Sequence, residues 1–192
     1  MKQSKLILSI AVILSVFFVS QSSAQTSVKQ NTVIVGGEAM YPKKNIIENA
    51  VNSKEHTTLV AAVKAAGLVE TLSGKGPFTV LAPVNDAFEN LPAGTVDNLL
   101  KPESKSALTG VLTYHVLAGN FSYDDIAAAI KKGNGTATMK TVNGQSLWFM
   151  TNGAHNITVK DASGNVANII TYDVSQSNGV IHVIDRVLMP KM

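Results

Sequence analysis

The first half of the chain carries its apolar residues at helical spacing. Between residues 56 and 66 the apolar side chains recur every three to four positions, and Gly67 follows as a helix stop. Residues 78–82 form instead a short continuous apolar run, which is typical of a buried strand. This half is therefore predicted to be helical with one strand. The residues predicted to cap its helices are Asn45, Asn85 and Ser122.

The second half of the chain changes to a period of two. Asn143-Gly144, a dipeptide typical of tight hairpin turns, separates two strand-like runs at 138–142 and 145–150. Helices followed by consecutive hairpins predict an α+β domain with a helical N-terminal half and antiparallel hairpins in the C-terminal half. The remaining strands of this half are predicted at 157–160, 166–174 and 180–188.

The last predicted strand is apolar on both faces. Val180 and Ile184 lie on one face, and Ile181, Val183 and Val187 lie on the other. A strand without a polar face has to be covered on both sides. This strand is therefore predicted to lie at the centre of the fold.

The first residues of the chain have the pattern of an export signal. Lys2 and Lys5 precede an apolar run at residues 6–19, which has the length of a signal-peptide core and is short for a membrane span. Small residues in Ser22-Ser23-Ala24 fit cleavage after the alanine. We therefore predict that residues 1–24 are a signal peptide and that the protein is exported, periplasmic or secreted, without stable membrane insertion after cleavage. The alternative is an uncleaved membrane anchor.

Composition limits the function classes that remain. The net charge of +3 falls to +1 once Lys2 and Lys5 are removed, and Arg186 is the only arginine, so we expect no nucleic-acid partner. The chain has no cysteine, which excludes a disulfide, a thiol nucleophile and a zinc–thiolate site. An exported domain of this kind has to be held together by its core alone.

A polar segment precedes the first helical pattern. Residues 25–44 are rich in polar side chains and contain Gly36-Gly37, so we predict a flexible leader here and a single domain at 45–190. Within the leader, Val33-Ile34-Val35 has the alternative of pairing as an edge strand.

Three motifs resemble the signature segments of the fasciclin-like (fasciclin I) domain family. Residues 79–88, Thr-Val-Leu-Ala-Pro-Val-Asn-Asp-Ala-Phe, resemble the first box, and 178–190 resemble the second. Between them, residues 112–117 match the family's Tyr-His segment. The resemblance extends over 45–190. It implies a β-wedge of two sheets with helices packed around it, and an exported interaction module that adheres to a protein or glycan on a cell or matrix surface.

The resemblance also implies a position for partner binding. In animal members, integrin-type adhesion is attributed to an Asp followed by an aliphatic residue just before the second box, and Asp173 and Val174 occupy that position here. Tyr172 and Ser175 depart from the animal pattern, so integrin binding itself is not carried over. Strand alternation predicts Tyr172 and Val174 on one face and Asp173 on the other. The alternative is that Asp173 caps a turn at a strand end.

Two aromatic segments are further candidates for partner contact. Tyr114 and His115 form the family's Tyr-His pair, and the alternative for the histidine is a buried, hydrogen-bonded place in the core. Trp148 with Phe149 and Met150 is a candidate for an exposed recognition patch, against the alternative of core packing.

No motif in the sequence is typical of catalysis or of cofactor binding. His182 and Asp185 point to opposite faces of one continuous strand, so they do not form a catalytic pair, and the histidines lack the spacing of a metal site. We therefore expect a non-enzymatic protein without a cofactor or metal. A competing hypothesis is a carrier that holds an apolar, pigment-like small molecule in a cleft of the β-wedge, as some family members do.

Overall fold

Helices dominate the described chain up to residue 132 and strands dominate it afterwards, as the change of period predicts, but the first part also contains short strands at 38–40 and 116–118 that the pattern does not predict. The computed structural model describes residues 32–191. The helices are α1 (Ile46–Ala50), α2 (Thr57–Ala66), α3 (Val69–Ser73), α4 (Asn85–Glu89), α5 (Thr95–Leu99), α6 (Lys105–Tyr114) and α7 (Tyr123–Lys132), with 3-10 turns at Lys54–His56 and Pro102–Ser104. The strands are β1 (Val33–Val35), β2 (Glu38–Met40), β3 (Phe78–Pro83), β4 (Val116–Ala118), β5 (Thr136–Lys140), β6 (Ser146–Asn152), β7 (Asn156–Lys160), β8 (Val166–Gln176) and β9 (Gly179–Ile184).

The predicted signal peptide at 1–24 lies outside the described residues, as does the start of the predicted leader. Within residues 32–191, no helix combines the length and the apolar character needed to cross a membrane.

The long strand β8 belongs to two sheets. Its first residues pair with β7, and its later residues, from Ile169 to Gln176, pair with β9. The strands lie side by side in the order β4-β3-β9-β8-β7-β6-β5. They form two four-stranded sheets that share β8. The two outer strands, β4 and β5, approach each other at one end. Leu117 forms a β-bridge with Thr141, and the backbone N–H of Val142 donates to Val116 O at 2.8 Å. The result is an α+β fold with a nearly closed sheet.

The prediction of a central last strand is confirmed. β9 lies between β3 and β8, and Val183 and Ile184 are at most 1% exposed. Its pairing with β3 is parallel, in contrast to the antiparallel hairpins around it, and sets Val80 opposite Ile181. The two signature boxes are therefore neighbours in the sheet.

β3 and β9 separate two hydrophobic cores. The helical core lies on one side and contains Ala82 and Val183 together with side chains of α1, α2 and α6. The sheet core lies on the other side and contains Leu81 and Ile184 together with α7 and strands β5 to β8. Because both cores rest on the same two strands, the signature boxes form the structural axis of the domain.

The prediction of a flexible leader is corrected over residues 33–44. β1 and β2 form an antiparallel hairpin, as in the edge-strand alternative, and Val35 and Met40 are buried in the helical core. Gly36 has φ +60, and a Cβ there would overlap the Oγ of Ser53. The sequence signal for this hairpin is weak, because only Val35 and Met40 are buried in the core, with Val33 partly buried against it.

Two of the three predicted helix caps are confirmed. Asn45 and Ser122 each form a capping box with the acidic residue three positions later. Asn85 is instead the first residue of its own helix, and its side chain caps α2 across space. Its Oδ1 accepts from the backbone N–H of Thr58 at 3.1 Å, while its Nδ2 donates to Lys54 O at 2.9 Å. The first signature box thereby fixes the start of a neighbouring helix.

Candidate functional site

Asp173 lies on the outside of an irregular turn within β8. It is exposed, and its φ of +54° places it in the left-handed region, which is unusual for a residue other than glycine. The register with β9 shifts between Thr171 and Val174, so the turn is a β-bulge. Bulges of this kind re-aim a side chain, and here the carboxylate is directed towards the start of α7.

The carboxylate of Asp173 is tied to that helix. The backbone N–H of Tyr123, the first residue of α7, donates to Asp173 Oδ1 at 2.7 Å. A negative charge is favourable at a helix N-terminus, where backbone N–H groups lack partners within the helix. Asp173 therefore does not cap a turn at a strand end, as in the alternative, but binds the start of α7 with one carboxylate oxygen, while the residue as a whole remains exposed.

The neighbours of Asp173 anchor it on both sides of the sheet. Val174 is 1% exposed in the helical core, whereas Tyr172 packs against the sheet core with its ring 5.0 Å from that of Tyr123. Tyr172 Oη also accepts from the backbone N–H of Ile157 at 2.8 Å. The two neighbours therefore do not share a face, contrary to the strand-alternation prediction, because the bulge at Asp173 turns the chain between them.

His182 fixes the bulge from inside the fold. Its side chain is fully buried, Nδ1 accepts from the backbone N–H of Asp173 at 3.3 Å, and Nε2–H donates to Phe121 O at 2.8 Å. Burial lowers the pKa of this imidazole below its ordinary value, which favours the neutral ring that these two bonds require. His182 therefore connects β9, the β8 bulge and the segment before α7.

Tyr114 lies in the core rather than on the surface. It is 0% exposed. Its Oη donates to Ser146 O at 2.9 Å and accepts from the backbone N–H of Ala162 at 2.9 Å. These bonds join the end of α6 to the start of β6 and to the turn after β7.

His115 also lies in the core, where it connects α6 to the C-terminal segment. It is 3% exposed, Nδ1–H donates to Val111 O at 2.8 Å, and Nε2 accepts from the backbone N–H of Leu188 at 3.0 Å. Burial lowers its pKa to about 4. We therefore assign Tyr114, His115 and Val174 to the core, which corrects their assignment as partner contacts, because a buried side chain does not touch a partner unless the core opens.

The Trp148 segment combines core and surface positions. Phe149 is 0% exposed in the sheet core, while Trp148 and Met150 lie half-buried on the outer face of β6. In register with Trp148 are Thr138 on β5 and Lys160 on β7. Core packing is therefore confirmed for Phe149, while a recognition patch at Trp148 and Met150 stays a prediction.

Open cavities lie on the surface of the domain, and the apolar ones in the interior are small. The polar cleft beside Asn178 measures about 620 Å³. The side chain of Asn178 is already used inside the fold, since it accepts from Ile46 N at 3.0 Å and donates to Leu72 O and Gly74 O. Two apolar cavities in the helical core measure about 40 and 30 Å³.

Comparisons with known proteins identify a family and several relatives of similar sequence. The fasciclin domain family model matches residues 54–190. The chain is 44% identical over 171 residues to protein sll1483 of Synechocystis sp., covering 88% of this chain and 86% of that protein. It is 38% identical over 146 residues to the immunogenic protein MPB70 of Mycobacterium bovis, covering 73% of this chain and 66% of that protein.

A third relative and a solved structure extend the comparison. The chain is 34% identical over 166 residues to the cell surface glycolipoprotein MPB83 of Mycobacterium bovis, covering 84% of this chain and 67% of that protein. The FAS1 domain pair of the insect cell adhesion molecule fasciclin I aligns with a TM-score of 0.49 and 26% identity, over 74% of this chain and 43% of that one. The family model and the sequence relatives together show that this chain belongs to the fasciclin domain family.

Proposed function

We propose that the chain is an exported, non-enzymatic interaction module that binds a protein or glycan on a cell or matrix surface. Its family membership supports this function, and one of its relatives is named as a cell surface glycolipoprotein. We further propose that it acts outside the cytoplasm, in the periplasm or after secretion, in keeping with the export signal predicted at residues 1–24.

The observation that carries the non-enzymatic proposal is the use of four buried polar side chains; a fifth, His56, differs from them because its Nε2 has no hydrogen-bond partner among the described residues. His115 and His182 each have both ring nitrogens in hydrogen bonds to backbone groups. The buried carboxylate of Asp161 accepts four hydrogen bonds, and Tyr114 Oη both donates and accepts. General acid–base catalysis needs a group that is free to exchange a proton with a substrate. These side chains are instead occupied in holding the fold.

Asp173 is our proposed partner-binding residue in the position implied by the family resemblance. Its neighbours and its backbone are anchored in both cores, so that its exposed carboxylate is presented with little freedom to lose on binding. An anchored, exposed carboxylate suits a partner that offers a cation or hydrogen-bond donors. Asp173→Ala is therefore expected to weaken binding at least about fivefold.

The test is saturable binding of the tagged, exported protein to envelope, medium and matrix fractions of the producing cell. Asp173→Ala is compared with Asp97→Ala, which removes an exposed carboxylate from the first turn of α5. Binding is counted per folded molecule, because losing the hydrogen bond that Asp173 accepts from Tyr123 N also costs about 0.5–1.5 kcal/mol of stability. Unchanged binding per folded molecule would make Asp173 a structural cap, and no saturable binding to any fraction would contradict the interaction module.

The competing carrier hypothesis gains no support from the described interior. Sites for drug-sized molecules occupy about 300–1,000 Å³. The apolar cavities of about 40 and 30 Å³ have room for a water molecule rather than a pigment. A visible absorbance band that stays with the protein purified from its own cells would revive this hypothesis.

A further inference from the structure

A furrow runs across the outer face of the C-terminal sheet and continues beside the chain end. It consists of two adjoining cavities, of about 500 and 510 Å³, that share Ser163 in the turn after β7. Trp148 lines the first cavity and Arg186 lines the second. We call this surface the Trp148 furrow.

The aromatic end of the furrow is held on a regular strand. Trp148 lies between Thr138 and Lys160 in the register of three paired strands, and Phe149 next to it is fixed in the core. A half-exposed indole held in this way offers a flat apolar surface and one N–H donor. Anchored aromatic residues of this type often dominate the free energy of binding at an interface.

The charges along the furrow have one sign. Lys160 lines the first cavity, and Arg186 and Lys191 line the second; all three are exposed. Among the described lining residues, the only carboxylate is that of Asp161, which is 1% exposed. The furrow therefore presents three cations to solvent and no exposed carboxylate among those residues.

The carboxylate of Asp161 is occupied by the turn that it holds together. Its Oδ1 accepts from the backbone N–H groups of Ser163 at 2.9 Å and Asn165 at 2.8 Å. Its Oδ2 accepts from Asn165 Nδ2 and from the backbone N–H of Met189, both at 2.9 Å. With four donors this carboxylate is satisfied within the fold and does not compete for the hydrogen-bond donors of a ligand, while its negative charge offsets part of the charge of the three cations.

We infer that the Trp148 furrow binds an acidic polysaccharide, with sugar rings stacked on the indole and carboxylate groups near Lys160 and Arg186. A pyranose ring has an apolar C–H face that matches the indole, and hydroxyl groups that match the hydroxyls of Thr136 and Ser163 in the furrow lining. A uronic acid adds the negative charge that the cations require. This inference rests on the proposed interaction function and names the class of its ligand.

An extended acidic peptide fits the same surface less well. β6 and β7 are interior strands whose backbone groups are paired on both sides. A peptide therefore has no sheet edge along Trp148 to which it can add as a strand. A ligand at this surface has to be bound by side chains alone. Sugar rings and their hydroxyl groups can be bound in this way.

Trp148 also provides the readout for a direct test, because it is the only tryptophan of the chain. Its emission is titrated with short oligogalacturonate, with the same oligomer methyl-esterified, and with polyglutamate. We expect saturable quenching or a blue shift with oligogalacturonate, and an affinity that falls at least about fivefold for the ester. Raising the salt from about 50 to about 500 mM should weaken binding further, since exposed charges are screened.

Variants assign the binding to the furrow. Lys160→Gln and Arg186→Gln should each weaken oligogalacturonate binding at least about threefold, as removal of one exposed charge contact implies. The matched control is Lys64→Gln, which removes an exposed lysine on α2. It should change the affinity for oligogalacturonate less than about twofold. Trp148→Ala should weaken oligogalacturonate binding at least about tenfold. Because this variant has no tryptophan emission, its binding is measured by calorimetry, and a thermal melt checks that it folds. If that variant does not fold, Trp148→Phe, which keeps an aromatic ring, should retain part of the affinity.

Three results would overturn the inference. One is the absence of any emission change and of any calorimetric heat with oligogalacturonate. Another is equal binding of polyglutamate and oligogalacturonate that is insensitive to Trp148, which would indicate an acidic protein partner bound by charge alone. The third is full binding to envelope or matrix fractions by the Lys160→Gln and Arg186→Gln variants; the proposed interaction function would then stand, and only this ligand class would fall.

Discussion

The ring of His115 and the backbone of Leu188 are joined by a buried hydrogen bond of 3.0 Å, in which the imidazole is the acceptor. The same ring donates to Val111 O on the preceding turn of α6. A protonated imidazole has no acceptor nitrogen, so the connection between the helix and the C-terminal segment exists only while His115 is neutral.

Stability is therefore expected to fall as the pH is lowered. The pKa of His115 is about 4 in the folded protein, against an ordinary value of 6.5. Between these values the unfolded chain binds the additional proton, so the free energy of unfolding falls as the pH drops from about 6.5 to about 4. The loss from this group amounts to about 3 kcal/mol. Burial also lowers the pKa values of His56 and His182, which acts in the same direction.

Denaturant titrations at a series of pH values provide the measurement. His115→Gln should be less stable at neutral pH and should depend less steeply on pH than the natural chain. His155→Gln, at an exposed position, should follow the natural chain. Parallel pH profiles for the natural chain and His115→Gln would show that this histidine does not carry the dependence.

Truncation of the central strand is expected to be costly. Ile184 is 0% exposed in the sheet core, and Ile184→Ala should lower the free energy of unfolding by about 2–5 kcal/mol. Ile170 on β8 is 52% exposed, and Ile170→Ala should change it by less than about 0.5 kcal/mol. Equal losses for the two isoleucines in urea unfolding would contradict the central position of β9.

Removal of the cross-element cap should weaken the start of α2. Asn85→Ala leaves the backbone N–H of Thr58 and the carbonyl of Lys54 without their side-chain partner. We expect a loss of about 1–2 kcal/mol, as for other helix caps. Asn98→Ala on the exposed side of α5 is the control and should be nearly neutral. Hydrogen exchange should show faster opening of the first turn of α2 in Asn85→Ala alone.

Processing at the N-terminus remains a prediction from the sequence. Cleavage after Ala24 gives an exported protein that begins at Gln25. Intact-mass measurement of the protein recovered outside the cytoplasm should give the mass of residues 25–192. Recovery of the full-length chain, held firmly in the membrane, would support the uncleaved anchor instead.

The core of this fold follows from local sequence patterns, and the candidate sites do not. β9 is apolar at consecutive positions, and such a strand has only one stable place, at the centre. Alternation predicts Asp173 on a regular strand, yet its left-handed backbone reverses the side of the sheet that Val174 occupies. No residue type marks this bulge, because an aspartate at positive φ is indistinguishable in sequence from one in a strand.

The Trp148 furrow shows a second limit of sequence patterns. Trp148 and Arg186 lie far apart in the chain, and they line adjoining cavities only because the turn at Ser163 and the C-terminal segment pack side by side. Because the apolar residues Leu147 and Phe149 face the core, strand alternation predicts that Trp148 between them faces outward and is only partly buried. Sequence patterns do not give the arrangement of the strands, which sets Lys160 beside Trp148 and places Arg186 in the adjoining cavity.

The sharing of β8 between two sheets has a consequence for how the domain comes apart. A strand that completes both sheets cannot leave one of them without exposing the core of the other, so neither half has a stable existence alone. Loss of structure at the helical end and at the Trp148 end should therefore occur in one cooperative step. A domain built in this way would keep the shape of the Trp148 furrow until the whole domain unfolds, rather than losing it gradually under stress.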